Sequence, residues 1–349
     1  MKKNRTIPFF ILHDGCPQKC VFCDQNKITG QKNIKPSEIA DTIERYLSTM
    51  SADRVNVEVG FFGGTFTGIP IDVQEQFLRC VDPFIKNGRI AGIRVSTRPD
   101  FIDEERLGLL AEYGVKCVEL GVQSMSDKVL AAVKRGYKAS DVIKASRMVL
   151  AKGFILGHQM MVGLPFSTLE DEYYTACMAK KLKAAQVRIY PLIVMPGTEL
   201  AEWWRAGEYV PLEEDEAIRR SVKLILYFEA NNIKVIRCGL HPSEGLIRGD
   251  YLAGPFHPAF KQKVESRIFG LMLNRIESSG EDVLDITLNS EDEAAFFGFK
   301  KSNNSLLRKI FLGREPILRR NGYIQRGSLK VETGSGVVVY DRKDIVISK

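Results

Sequence analysis

The sequence predicts an α/β fold: an incomplete (β/α)6 TIM-like barrel followed by a small α+β C-terminal domain. Two observations carry this reading. From the N-terminus to about residue 240, short apolar runs alternate with amphipathic stretches, the rhythm of repeated strand and helix units. Near 241–258 that rhythm breaks, where Pro242, Gly245, Gly249, Gly254, Pro255 and Pro258 crowd together. The chain therefore reads as a barrel domain over 1–240, a linker over 241–258 and a basic C-terminal domain over 259–349.

Strands are expected near 7–12, 56–62, 92–97, 116–122, 155–162 and 186–194. Helices are expected between them, near 36–49, 70–86, 103–113, 139–152 and 167–181, with another over about 213–230. Lys35-Pro36-Ser37-Glu38 and Ser167-Thr168-Leu169-Glu170 read as helix starts, because Pro or a hydroxyl residue precedes acidic residues in the first turn. Six such units imply a parallel sheet, curled into a partial barrel or doubly wound. Past the linker the pattern predicts an amphipathic helix over about 259–277, a strand at Leu284-Asp285-Ile286-Thr287-Leu288, and a hairpin around Thr333-Gly334-Ser335-Gly336.

With 349 residues, 44% hydrophobic and 27% charged, the composition excludes a disordered chain, a collagen-like repeat and a disulfide-dense miniprotein. A formal charge of +7 favours an anionic partner. No apolar run approaches the roughly 18 residues of a membrane span, so neither a signal peptide nor an anchor is expected. The seven cysteines are an odd number and lopsided: Cys16, Cys20 and Cys23 lie together, while Cys80, Cys117, Cys177 and Cys238 are scattered and read as core. That layout suits a reducing cytoplasm with one local metal site.

The sharpest signal is Gly15-Cys16-Pro17-Gln18-Lys19-Cys20-Val21-Phe22-Cys23, a C-x3-C-x2-C cluster directly after the first predicted strand. Strand ends on that face of a parallel barrel are where active sites are built. Two metal readings follow from the residues. His13 could join the three sulfurs in a Cys3His zinc site. An iron-sulfur cluster normally takes four cysteines, so three would leave one iron open to a group that is not protein.

The cluster, with an aromatic residue just before its last Cys, resembles the radical SAM superfamily. Further segments follow in order: Phe61-Phe62-Gly63-Gly64-Thr65, Ser96-Thr97-Arg98-Pro99-Asp100, Val118-Glu119-Leu120-Gly121-Val122-Gln123, Arg135-Gly136-Tyr137, Met161-Val162-Gly163-Leu164-Pro165 and Ile189-Tyr190-Pro191. Over residues 5–240 the series is similar to the branch that contains the catalytic subunit of Elongator. The resemblance implies a 4Fe-4S cluster on Cys16, Cys20 and Cys23, with S-adenosylmethionine on the open iron. It implies reductive cleavage to a 5'-deoxyadenosyl radical, fed by a low-potential electron donor. It also implies cofactor contacts from Phe22, Gly63, Gly64, Thr65, Thr97, Arg98, Gln123 and Gly163, and catalytic roles for Gln123 and Tyr190. Beyond about 255 there is no glycine-rich turn of the kind coenzyme A recognition needs, so acetyl transfer is not expected of these residues.

The tail offers a substrate clue. From 300 to 330, Lys300, Lys301, Arg308, Lys309, Arg314, Arg319, Arg320, Arg326 and Lys330 stand against the single acid Glu315, a charge pattern that suits RNA phosphates. Modification of RNA, with tRNA as partner, is the first expectation. A radical SAM enzyme acting on a small metabolite and a noncatalytic zinc-binding RNA adaptor are the alternatives.

Overall fold

The computed structural model describes residues 3–11, 16, 20–24, 27, 33–50 and 55–345. In chain order the main elements begin with β1 (Lys3–Phe10), α1 (Ile39–Ser48), β2 (Val55–Phe62), α2 (Ile71–Lys86), β3 (Gly92–Thr97), α3 (Glu104–Glu112) and β4 (Val115–Gln123). They continue with α4 (Asp127–Ala132), α5 (Ala139–Ala151), β5 (Ile155–Val162), α6 (Leu169–Lys181), β6 (Gln186–Pro191), α7 (Glu199–Arg205), α8 (Glu214–Ala230) and β7 (Lys234–Cys238). Then come α9 (Glu244–Arg248), α10 (Phe260–Glu277), β8 (Val283–Leu288), α11 (Glu293–Phe297), α12 (Asn304–Ile310), β9 (Leu318–Arg320), β10 (Ser328–Thr333) and β11 (Gly336–Asp341). The chain divides into two compact units, Met1–Leu212 with His241–Pro255, and Glu213–Leu240 with Phe256–Lys349.

In the first unit, β1 to β6 pair in parallel in the order of the chain and curl into an incomplete barrel, as the alternating pattern predicts. Pairing partners lie on the same face of a sheet, so the register sorts the side chains. One face carries Val57, Val59, Phe61, Ile93, Val95, Val118, Leu120, Leu156, Val187 and Ile189, all buried. Phe61 meets Phe77 of α2 edge-on at 5.8 Å and stacks on Phe9 and Phe66. Burial of such side chains beneath the helices, roughly 1.5–3 kcal/mol for each, supplies the drive to fold. The opposite face carries Glu58, Gly60, Arg94, Ser96, Glu119, Gly121, Gly157, Gln159 and Arg188, a polar lining in place of a packed core.

Helix starts follow local chemistry. Asp103 caps α3 by accepting from Arg106 N–H at 2.9 Å. Thr168 and Asp171 form a reciprocal box at the head of α6. At the other expected start, Pro36–Glu38 is a 3-10 turn, and the α-helix begins at Ile39.

His158, on the helix-covered face of β5, places Nε2 3.0 Å from Ser146 Oγ of α5. Burial pushes its imidazole down to about 4 from an ordinary 6.5. The unfolded chain therefore binds a proton that the folded chain refuses. The stabilisation is complete above pH 6.5 and is lost as the pH falls towards 4. Between pH 7 and pH 5 this one group is expected to remove about 2 kcal/mol. Urea titrations at the two pH values read the loss, and His158→Gln should flatten it; a variant as acid-sensitive as the parent would refute the assignment.

The second unit contains α8, β7 and α10 to α12, with a sheet in the order β11-β10-β8-β9. β8, β10 and β11 are antiparallel neighbours, and β9 joins β8 in parallel. Phe269, Met272, Leu273, Ile286, Phe296 and Leu329 form its core.

Two expectations need correction. The barrel domain does not run unbroken to 240: residues 213–240 belong to the second unit, where α8 packs on α10 with Glu214 to Lys263 and Asp215 to Arg267 ion pairs at 2.6 Å each, a pairing invisible to local composition. The stretch 241–255 is no mere linker. It holds α9, and Ala253 bridges to Val194 within the first unit. The short α4, α7 and α9 and strand β7 escape a periodicity reading because five to seven residues complete no more than two turns, or offer too few apolar residues. Cys117 and Cys238 are core, as expected, whereas Cys80 and Cys177 are only half-buried.

A candidate active site at the barrel mouth

The carboxyl ends of the strands converge on one cavity lined by Cys16, Cys20 and Cys23, by Gly63, Gly64 and Thr65, and by Thr97, Arg98 and Gln123. Of the residues singled out from the sequence, these nine come together. Ser96, Gly121, Arg135 and Gln159 complete the lining. Three of those four sat in the quoted segments, yet nothing in the residue pattern separated them from packing.

The cysteine segment is pinned from both sides by the two short helices that periodicity misses. Val21 N–H donates to Val133 C=O, just past α4, at 3.3 Å, and Leu200 N–H of α7 donates to Val21 C=O at 2.8 Å. Val21 and Phe22 pack among Val129, Val133, Leu164 and Leu192. Phe22 is thus an anchor of the segment and does not line the cavity. Burial, then the neighbouring Cys20, pushes the Cys23 thiol up to about 12, so a metal bound there would have to displace its proton.

Arg135, buried, donates from Nη1 to Cys20 Sγ at 3.0 Å and from Nη2 to Gly121 C=O at 3.0 Å, while Nε meets Tyr137 Oη at 2.9 Å. Burial opposes its charge, but Tyr137 and Cys20 more than offset that cost, and its pKa rises. A fixed cation thus stands against the Cys20 sulfur. Arg98 grips Asp100 in a two-point pair at 2.9 and 2.7 Å and donates to Arg135 C=O at 2.6 Å; its Nη1 is buried with no hydrogen-bond partner. Thr97 Oγ1 lies 2.5 Å from Thr67 Oγ1. Gln123 ends β4 at φ +62°, a left-handed conformation that costs a non-glycine residue energy and is found at functional sites.

Below the mouth a charged belt crosses the strands. Glu119, 1% exposed, takes Arg94 at 2.7 Å, Arg188 at 2.5 Å and Gln159 at 3.1 Å; Arg94 also holds Glu58 at 2.8 Å. Gln159 passes the network up to Ser96 Oγ at 2.9 Å. Burial resists ionisation of Glu119, yet Arg188 and Arg94 outweigh it and hold the carboxyl below its usual range.

Besides Phe22, two expected site residues stay outside the cavity. Gly163 N–H donates to Glu172 at 2.8 Å and its C=O accepts from Tyr209 at 2.7 Å, at φ +83° with Leu212 where a Cβ would go, so it serves packing here. Tyr190 meets Arg188.

Among the described residues, no three metal-ligating side chains converge tightly enough to hold a single ion. A zinc site would bring every sulfur within about 2.3 Å of one ion, whereas a cluster presents a separate iron to each thiolate. Cys16, Cys20 and Cys23 share one cavity lining, a donor set that suits a cluster with one open iron. His13, the fourth ligand of the zinc reading, lies outside the described residues.

In the second unit the basic tail is partly self-neutralised. Arg314 pairs with Asp282, Arg319 with Asp285, Arg320 with Glu293, and Arg326 with Glu291 and Asp292. Lys300, Lys301, Arg308, Lys309 and Lys330 keep no carboxylate partner among the described residues. The cationic surface is therefore narrower than the local count of charges suggests.

Fold and site together define a class: half-barrel proteins with three cysteines gathered at the carboxyl ends of the strands. The Radical SAM superfamily profile matches residues 10–176, and the Radical_SAM C-terminal domain profile matches 184–269. The chain belongs to the radical SAM superfamily, whose members are enzymes that use a 4Fe-4S cluster and S-adenosylmethionine. It is 30% identical over 247 residues to the tRNA uridine(34) acetyltransferase of Methanocaldococcus jannaschii, covering 59% of this chain and 45% of that protein. It is 26% identical over 189 residues to Elongator complex protein 3 of Dictyostelium discoideum, covering 48% of this chain and 34% of that protein. Among solved structures it resembles the archaeal Elp3 of Methanocaldococcus infernus, with a TM-score of 0.58 at 21% identity over 80% of this chain and 64% of that one. The chain thus spans about half the length of the two curated relatives, or less. Among the described residues no helix is long and apolar enough to cross a membrane.

Proposed function

We propose that this chain is a radical SAM enzyme that holds a 4Fe-4S cluster on Cys16, Cys20 and Cys23, cleaves S-adenosylmethionine reductively, and modifies RNA, with tRNA as substrate, in the cytoplasm. The observation that carries the reading is the convergence of those cysteines on one cavity with Gly63 to Thr65, Thr97, Arg98 and Gln123. Bound there, the cluster and S-adenosylmethionine would supply a 5'-deoxyadenosyl radical, given an electron from a low-potential donor. The protein's part is positional. Arg135 fixes the Cys20 sulfur through Nη1, and the open Nη1 of Arg98 offers a fixed cationic donor to a carboxylate. Gln123 projects an amide into the mouth, and the belt around Glu119 keeps the polar floor ordered. The RNA half of the reading is supported by the relatives whose names specify tRNA and by the polar lining, which suits a nucleobase.

The test is anaerobic. Protein reconstituted with iron and sulfide should be brown and should cleave S-adenosylmethionine upon reduction, faster with tRNA present than without it. A colourless protein carrying stoichiometric zinc would overturn the enzyme reading. Cleavage indifferent to tRNA but raised by a small polar metabolite would overturn the RNA half alone.

A further inference from the structure

We propose that the cavity walled by α8, α10, Phe299 and residues 302–306 binds one nucleotide of single-stranded RNA, its base against Phe299 and its phosphates at Lys300 and Lys301, which stand beside the cavity. This deepens the RNA reading and rests on it. The cavity measures about 410 Å3, within the range of small-molecule sites, and its wall includes Glu214, Lys263, Ser266, Asn274, Phe299 and Asn303.

Three independent features point to that ligand. The first is the aromatic ring with its cations. Lys263 Nζ stands 5.1 Å and Lys300 Nζ 5.7 Å from the Phe299 centroid, and the His257 ring meets it edge-on at 5.2 Å. An aromatic face with adjacent lysines is the usual means of holding an unpaired base and its backbone. The second is backbone strain. Gly298, Lys300 and Lys301 have φ of +83°, +53° and +62°, so two lysines occupy a region that glycine or asparagine would fill at less cost. The turn is nevertheless held firmly. Phe299 N–H donates to Ser266 Oγ at 2.8 Å, and Asn303 Nδ2 donates to Ser266 C=O at 3.1 Å and Phe296 C=O at 2.9 Å. The third is an open acceptor: Glu214 Oε2 takes Lys263 at 2.6 Å, while Oε1 is buried with no hydrogen-bond partner. The amino groups of adenine, cytosine and guanine are donors of the kind such an oxygen lacks. An acidic peptide would gain from the lysines but would be repelled by Glu214 and find no use for the ring.

The experiment is fluorescence anisotropy of a labelled, unstructured oligoribonucleotide with the full-length reconstituted protein over a salt series. Phe299→Ala should weaken binding at least tenfold with the salt slope unchanged, since stacking releases no ions, and Phe299→Tyr should restore it. Changing both Lys300 and Lys301 to Gly should lower the slope of log affinity against log salt by about 1.4, or about 0.7 for each phosphate. That pair relieves the strained turn, so its melting temperature should not fall, which separates lost binding from lost fold. If the parent binds RNA and all variants match it, this site is refuted while the RNA reading stands. A parent that binds no RNA at any salt overturns both. Competition by adenosine monophosphate as strong as by the oligonucleotide would assign the cavity to a free nucleotide instead.

Discussion

A chain with Cys20→Ala is expected to emerge from anaerobic reconstitution colourless and to cleave no S-adenosylmethionine, a loss of roughly 100-fold or more. Removal of groups that merely orient a metal ligand already costs about 10- to 100-fold, and here a ligand itself is lost. Cys20 is also the sulfur that Arg135 holds at 3.0 Å, so the alanine leaves a buried guanidinium without that partner. The control is Cys117→Ala. Cys117 lies in β4 and accepts from Gln186 Nε2 at 2.6 Å, away from the mouth, so its loss should leave iron content intact. Iron retained by Cys20→Ala, with cleavage preserved, would show that the cluster is held by other residues.

The second large effect concerns the belt. Glu119→Gln is expected to destabilise the first unit by roughly 3 kcal/mol or more, because Arg94 and Arg188 lose the carboxylate that balances them in a site 1% exposed. For a unit of this size that is a fall in melting temperature of roughly 10 °C. A variant within 1 kcal/mol of the parent would show that water reaches the two guanidinium groups and neutralises the loss. Acid gives the same effect more gently. The carboxyl sits below its ordinary 4.5, so its contribution holds above that pH and fades as the pH drops further.

The barrel was legible because it repeats. Six strands bounded by amphipathic helices, and a capping box such as Thr168 with Asp171, leave signals ten or more residues long or tied to one spacing. The three cysteines were legible because thiols at that spacing have few other uses. Arg135 was not: it reaches Cys20 across 115 positions of chain, and a lone arginine after a short helix carries no local mark of that partner. Glu119 interrupts an otherwise apolar strand, but its arginines sit on β3 and β6, and only the register shows them as neighbours. Gly163 illustrates the reverse case. A glycine near a motif resembles a cofactor contact, while its φ of +83° and the crowding by Leu212 give it a sufficient reason in packing.

The two faces of each barrel strand divide the labour between stability and recognition. Valines, leucines and phenylalanines beneath the helices carry the apolar burial, so positions such as Ser96, Gln159 and Tyr190 on the other side are comparatively unconstrained by it. A lineage could exchange those lumen residues and acquire a new substrate without rebuilding its scaffold. Libraries randomised at these three sites should accordingly yield many folded proteins with divergent preferences.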